Sequence, residues 1–178
     1  FIFYNIYMTM REIKDSPSKA RELYAPVKER IKIKDATGRD MNWVESVCKS
    51  YKPDIVLLDM GDKFARTSGF ARTDEALKAN AVHARMIAKQ HECAMFYMSQ
   101  LSADAEGKVL LNQSMMEGSR TGKAAEADLM ILIAKNPVVD GQEEEDTQRH
   151  INVVKNKLTG WHGVVHCELE YQTARYTA

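Results

Sequence analysis

The sequence has no apolar run approaching about 18 residues and almost no cysteine. The first absence excludes a membrane-spanning helix. The three cysteines are an odd number at wide spacing, which favours free thiols in a reducing compartment and predicts a cytoplasmic protein. An excess of charge is also missing, because 25 basic residues balance 25 acidic ones. A protein that coats nucleic acid with its whole surface is therefore excluded, whereas local basic loops remain open.

The chain has 178 residues, of which 44% are apolar and 28% charged, and this is enough for one globular domain over 1–178. It contains no internal repeat. Its first residues, Phe1 to Tyr7, form an apolar run without the basic flank of a signal peptide, and they are typical of a buried strand. Because a domain rarely begins in mid-strand, we expect a fragment of a longer protein.

Strand and helix patterns alternate along the first two-thirds of the chain. We predict helices at 18–30, 40–51, 74–91 and 123–126, and strands at 31–34, 54–59, 93–98, 128–133, 150–157 and 163–171. The alternation indicates right-handed βαβ units and a mostly parallel central sheet, whose continuously apolar strands are buried on both faces. The last two strands have no helix between them, which favours an antiparallel edge. The predicted fold is a three-layer α/β sandwich.

Two polar residues follow neighbouring predicted strands. Asp59 ends the strand Ile55-Val56-Leu57-Leu58, where open α/β sheets bind ligands and where nucleotide hydrolases hold Mg²⁺. Gln100 lies in Ser-Gln-Leu after the next strand, and its neutral amide is suited to a γ-phosphate or its attacking water. Each signal is weak alone, and a strand-end Asp that only caps a loop is an equal alternative.

Two lysines lie two residues apart on a late strand. Lys155 and Lys157 belong to Lys-Asn-Lys-Leu-Thr-Gly, and the period of a strand points both side chains the same way. Both ammonium groups can then reach one anion. A solvated strand face is the alternative.

The order of these motifs resembles the RecA-like motor domain of the hexameric replicative DNA helicases, the family of DnaB and the phage T7 primase-helicase. The resemblance covers nearly the whole chain and includes Gly118-Ser119 followed by Ala127-Asp128. It implies a P-loop NTPase fold, ATP and Mg²⁺ as cofactors, and ATP-dependent unwinding of DNA. It implies that Asp59 is the Walker B metal ligand, that Gln100 is the polar sensor, and that Lys155 and Lys157 contact the nucleotide of a neighbouring subunit, with Lys157 in the catalytic position.

The resemblance also implies a homo-oligomeric, hexameric ring around single-stranded DNA, with primase as a further partner and a phage-like source. Two loops would face the central channel. The implied DNA-binding residues are Lys63, Arg66, Arg72, Gly118, Ser119, Arg120 and Lys123. Two aromatic residues of the first loop, Phe64 and Phe70, either stack on bases or anchor the loop.

Three departures from the family pattern stand in the sequence. No Gly-x-x-x-x-Gly-Lys-Ser/Thr phosphate loop occurs in the chain, so these residues alone are expected to be inactive. Tyr7 occupies the position of the catalytic Glu, and Glu12 is an alternative base. Lys157 replaces the finger arginine and lacks its bidentate fork. The alternatives are a degenerate, non-catalytic ring or DNA-binding module, a recombinase-type ATPase and a clock-type ATPase.

Overall fold

The computed structural model describes residues 8–65, 73–117, 122–137 and 146–178. Its helices are α1 (Met10–Asp15), α2 (Pro17–Tyr24), α3 (Met41–Tyr51), α4 (Thr73–Gln90) and α5 (Gly122–Glu126). Its strands are β1 (Ile55–Leu58), β2 (Ala94–Tyr97), β3 (Leu129–Lys135), β4 (Gln148–Asn156), β5 (Gly163–Glu170) and β6 (Arg175–Thr177). Short 3₁₀ turns lie at Lys28–Arg30, Gly61–Lys63, Ala103–Ala105 and Gln113–Met115. The predicted strand Phe1 to Tyr7 lies outside the described residues.

The strands form two sheets within the described part of the chain. β1 and β2 pair in parallel, and β3, β4, β5 and β6 form an antiparallel sheet in that order. The predicted mixed α/β class and the antiparallel edge are confirmed. The expectation of a mostly parallel sheet is wrong for these residues, because three of the four strand pairs are antiparallel. The last pair includes β6, which the sequence pattern did not predict.

Local signals set the helix ends. Asp40 caps α3 as predicted, since its carboxylate accepts the Trp43 N–H at 3.0 Å, and Lys52 ends the helix in the left-handed region at a φ of 47°. The helix predicted at 18–30 stops at Tyr24 instead. Pro26 follows and has no N–H to continue the helical ladder.

Two apolar clusters stabilise the described part of the chain. The first cluster joins α3, β1 and α4, and its members are Met41, Val44, Cys48, Leu58, Phe64, Ala84 and Ile87. The second joins α5 and β3 to the segment between β2 and α5, and its members are Ala105, Leu111, Met115, Met116, Ala124, Met130, Leu132 and Ala134. The three cysteines are free, as predicted, and all three are buried. No helix within the described ranges has the length and apolarity needed to cross a membrane.

Two strand predictions are wrong. Residues 31–34 form no strand, and Ile33 is 87% exposed, because an alternating pattern becomes a strand only where a partner pairs with it. The second error concerns burial on both faces of β1. Ile55 and Leu57 are 59% and 62% exposed, whereas Leu58 is buried. Within the described residues, β1 has one buried face only.

Candidate functional site

The predicted nucleotide edge lies at the carboxyl ends of β1 and β2. Leu58 pairs with Tyr97, and the Met98 N–H donates to the Leu58 carbonyl at 3.1 Å. Asp59 directly follows β1, and Gln100 follows β2 by three residues. The predicted adjacency of their two strands is therefore confirmed. Both side chains are exposed at this edge.

The Asp59 carboxylate is suited to a hard cation. Within the described residues, it takes part in no hydrogen bond or ion pair, and no cluster of three or more potential metal-ligating side chains exists. Mg²⁺ commonly binds through one or two carboxylates and completes its shell with water and phosphate oxygens. A single exposed carboxylate at the end of a strand fits that ligand set.

A tight turn connects Asp59 to a buried polar cluster. Met60 takes a φ of 53°, and the Gly61 N–H then donates to the Met98 carbonyl at 2.8 Å. Gly61 packs against the Tyr97 ring so closely that a Cβ atom would lie 2.6 Å from it. The turn thus places Asp62 beside the end of β2.

We call Asp62, Tyr97, Ser99 and Lys123 the polar cluster. Lys123 Nζ lies 3.0 and 2.9 Å from the two Asp62 carboxylate oxygens and 2.8 Å from Ser99 Oγ. Ser99 Oγ also donates to Asp62, and the Tyr97 hydroxyl donates to the same carboxylate at 3.3 Å. The Lys123 side chain is only 2% exposed and that of Asp62 is 15% exposed. Sequence reasoning missed this cluster, because its two charged members are 61 residues apart.

The cluster also affects the tyrosine. Burial, with the Asp62 charge as the next cause, raises the pKa of Tyr97 well above its usual value. The hydroxyl therefore stays protonated over the whole range in which the protein would function. It acts as a permanent hydrogen-bond donor to Asp62.

The two lysines predicted to contact a neighbouring nucleotide reach the connection between α5 and β3. Lys157 Nζ lies 3.5 Å from Asp128 Oδ1, and Arg85 Nη1 lies 3.1 Å from the same oxygen. Lys155 Nζ donates to the carbonyls of Ala124 and Ala125 near the end of α5. Burial, followed by the charge of Lys157, lowers the pKa of Lys155. The two ammonium groups thus converge on one part of the chain.

The residues of the two predicted DNA-binding loops are exposed, buried or outside the described residues. Lys63 is exposed, and Lys123 is buried in the polar cluster. Phe64 is part of the first apolar cluster, so it anchors its loop. Others lie outside the described residues, namely Arg66, Phe70, Arg72, Gly118, Ser119 and Arg120, as does Tyr7.

The alternative base Glu12 has a local structural role. Its carboxylate accepts the Thr9 N–H at 2.7 Å in a capping box at the start of α1. This backbone hydrogen bond, together with that from the Thr9 hydroxyl, lowers the pKa of Glu12.

Solved structures with the same fold include a replicative helicase and an ATPase domain. The first is the structure of a DnaB-like replicative helicase and its interactions with primase, with a TM-score of 0.77 and 16% identity over 95% of this chain and 45% of that one. The second is the ATPase domain of another protein, with a TM-score of 0.76 and 17% identity over 95% of this chain and 65% of that one. No family model and no curated protein sequence matches the chain. The chain thus has a DnaB-like RecA fold, as the motif order predicted, and spans less than two-thirds of either neighbour.

Proposed function

We propose that this chain is part of a replicative DNA helicase motor, which couples ATP hydrolysis to translocation on single-stranded DNA and to duplex unwinding. One observation carries the proposal: Asp59 and Gln100 follow adjacent parallel strands and open at the same edge. Ligands bind at this edge in open α/β sheets. The similarity to a replicative helicase and to an ATPase domain supports the proposal, and it favours the RecA-like, three-layer arrangement expected for the whole domain.

In this proposal, Asp59 holds Mg²⁺ and Gln100 contacts the γ-phosphate or the attacking water. Bound ATP and its metal supply the reacting phosphoryl group and neutralise its charge. Gln100 contributes hydrogen bonds without adding negative charge near the phosphates, and Lys155 and Lys157 contribute positive charge across a subunit boundary. Because no phosphate loop occurs in these 178 residues, they should show no ATPase activity on their own.

In this proposal, the two predicted loops bind the DNA. We assign phosphate contacts to Lys63, Arg66, Arg72, Gly118, Ser119 and Arg120, but not to Lys123, which has buried partners. The motor would form a hexameric ring, act in the cytoplasm of a cell or phage host, and work beside a primase. The structure of the DnaB-like neighbour in its interactions with primase supports the last partner.

A non-catalytic ring or DNA-binding module is the second candidate. It is favoured by Lys157, which lacks the arginine fork and is already bound to Asp128 of its own chain. In this candidate the ring forms and binds DNA but does not hydrolyse ATP.

Subunit mixing separates the two candidates. The test uses protein expressed from the complete reading frame that encodes this chain, with Asp59→Asn and Lys157→Ala variants. Each variant alone should lower DNA-stimulated ATPase activity at least tenfold. Asp59→Asn removes the proposed Mg²⁺ ligand. Lys157→Ala removes a cation supplied in trans, which contributes on the order of 10³-fold when it is arginine and should contribute less when it is lysine. Mixed subunits should exceed both variants, because some interfaces then pair an intact Asp59 with an intact Lys157.

Three outcomes are informative. Activity that rises in the mixtures supports the motor and the action of Lys157 in trans. Wild-type protein without ATPase activity that still binds single-stranded DNA supports the non-catalytic module. If no mixture exceeds the separate variants and Lys157→Ala weakens ATP binding, the lysine serves its own subunit.

A further inference from the structure

The polar cluster joins three separate parts of the chain. Asp62 lies three residues after Asp59, Ser99 directly precedes Gln100, and Lys123 belongs to the first turn of α5. The Lys123 ammonium bonds both Asp62 oxygens and Ser99 Oγ at 2.8 to 3.0 Å. One side chain therefore ties the start of α5 to both strand ends of the nucleotide edge.

A second contact reaches the same place from the other side. The Glu117 N–H donates to the Gln100 carbonyl at 3.2 Å, and Leu101 forms an antiparallel bridge with Met116. Glu117 and Lys123 stand on either side of the segment that carries the predicted DNA-binding residues 118–120. Both ends of that segment are thus held at Ser99 and Gln100.

We infer that Lys123 is a positioning residue, which with Asp62 and Ser99 fixes the predicted DNA loop to the nucleotide edge. This inference rests on the proposed function. The Lys123–Asp62 ion pair and the Lys123–Ser99 hydrogen bond make Gln100 and the start of α5 move as one unit. A shift of Gln100 when nucleotide binds or is hydrolysed then changes the position of the DNA loop. Lys123 serves this role instead of contacting DNA.

The geometry argues against a DNA contact by Lys123. An ammonium group has three N–H donors, and here all three have protein acceptors. The side chain is 2% exposed, so a phosphate contact would require breaking a buried ion pair and leaving Asp62 without its cation. Leaving one buried charge unpaired is strongly unfavourable. Lys63, which is exposed, has no such obstacle.

The first test is a double-mutant cycle on the chain itself. Lys123→Met and Asp62→Leu should each lower the melting temperature by roughly 10 °C, because each leaves one buried charge unpaired. The double variant should lose clearly less than the sum of the two, since it removes both charges together. Lys63→Met, which removes an exposed lysine one residue from Asp62, should change the melting temperature by no more than about 2 °C. Additive losses would overturn the pairing.

The second test separates positioning from DNA contact, and it uses protein from the complete reading frame. Binding to an oligo(dT) strand is measured as a function of salt. The double variant should keep the wild-type slope, whereas Lys63→Met should reduce it by about 0.7, the value for one phosphate contact on a single strand. A reduced slope in the double variant would show that Lys123 contacts DNA and overturn the inference.

The third test measures transmission between the two sites. In the double variant, the ratio of the DNA-stimulated to the basal ATPase rate should fall at least tenfold, while the KM for ATP stays within about twofold of wild type. If the double variant is active and its stimulation by DNA is unchanged, the positioning role is contradicted but the proposed function is not. If the wild-type protein has neither ATPase activity nor DNA binding, both the proposed function and the positioning role are contradicted. In that case the melting-temperature cycle still tests the ion pair.

Discussion

The Lys157 ammonium lies 3.5 Å from an Asp128 carboxylate oxygen, so the cation predicted to act in trans is paired within its own chain. Arg85 contacts the same oxygen at 3.1 Å. Asp128 therefore has two cationic partners and links α4 to the end of β4. To reach a neighbouring nucleotide, Lys157 would have to exchange this carboxylate for a phosphate. The exchange is feasible because both partners are about half exposed.

The first prediction concerns the pH dependence of this contact. Burial alone would raise the pKa of Asp128, but hydrogen bonding and charge from Arg85, followed by Lys157, keep it below the usual value of 3.8. A lowered pKa means that the stabilisation is fully present above about pH 4 and is lost as the pH falls through the folded-state value. Asp128→Asn should therefore lower the free energy of unfolding by about 0.5 kcal/mol at neutral pH, since the pair is exposed, and by progressively less as the pH falls below about 4.

Urea unfolding of both proteins at several pH values measures this difference. Asp54→Asn, which removes another exposed carboxylate, is the matched control for the loss of one surface charge. A gap between wild type and Asp128→Asn that stays constant down to about pH 2 would contradict the assignment of the stabilisation to the ionised carboxylate.

The second prediction uses two asparagines that are almost equally buried. Asn152 is 2% exposed, and its amide bonds the Leu111 N–H and the carbonyls of Val109 and His150, each at 3.0 Å. Asn80 is 1% exposed, and within the described residues neither polar atom of its amide has a hydrogen-bond partner. Asn152→Leu should lower the free energy of unfolding by about 2 to 4 kcal/mol, whereas Asn80→Leu should raise it by about 1 kcal/mol.

Equilibrium urea unfolding measures the change in the free energy of unfolding for both variants. Each variant serves as the control for the other, because the two changes should have opposite signs. Because the substitution is the same, helix or strand propensity and size contribute similarly small terms. A loss for Asn80→Leu as large as that for Asn152→Leu would show that the Asn80 amide is bonded in solution.

The third prediction concerns the thiols. Burial, with neighbouring Cys93 as the next cause, raises the pKa of Cys48 to about 11, and burial also raises the pKa of Cys93. Only the thiolate reacts, so both groups should be nearly inert in the folded protein at pH 8. Labelling with a chromogenic disulfide should be at least about 100-fold slower than in urea. Rapid labelling of either cysteine without unfolding would contradict its burial.

The sequence predicts those elements whose signals are local. Asp40 and the Lys52-Pro53 step mark the ends of α3 because a cap and a proline act within a few residues. The placement of Asp59 and Gln100 after the ends of adjacent strands was also predictable, since a crossover helix between two apolar strands makes the strands parallel neighbours. Both inferences use only short-range patterns and general rules of chain connection.

The errors come from partners that are distant in sequence. Ile31 to Lys34 alternates like a strand, but nothing in the chain's pattern reveals whether another strand pairs with it. A continuous apolar run cannot show that Ile55 and Leu57 face outward, because burial depends on what covers the sheet. Likewise, Lys123 has the charge expected of a DNA contact, and its carboxylate partner is 61 residues away.

The last prediction concerns the turn that supports the polar cluster. A Cβ atom on Gly61 would lie 2.6 Å from two atoms of the Tyr97 ring and 2.8 Å from a third. Neither group can move freely, because the Gly61 N–H is bonded to the Met98 carbonyl and the Tyr97 hydroxyl to Asp62. Gly61→Ala should therefore lower the free energy of unfolding by about 1 to 3 kcal/mol, the usual cost of overpacking.

The mechanism has its own test in a second substitution. Tyr97→Leu removes the ring, so adding Gly61→Ala to that background should cost clearly less than it does in wild type. Gly160→Ala is the control for backbone strain without crowding, because Gly160 has a φ of 76° and a Cβ atom added there would meet no described atom within 4 Å. Its cost should stay the same whether or not Tyr97 is replaced. An equal loss from Gly61→Ala in both backgrounds would show that the ring is not what excludes a side chain at Gly61.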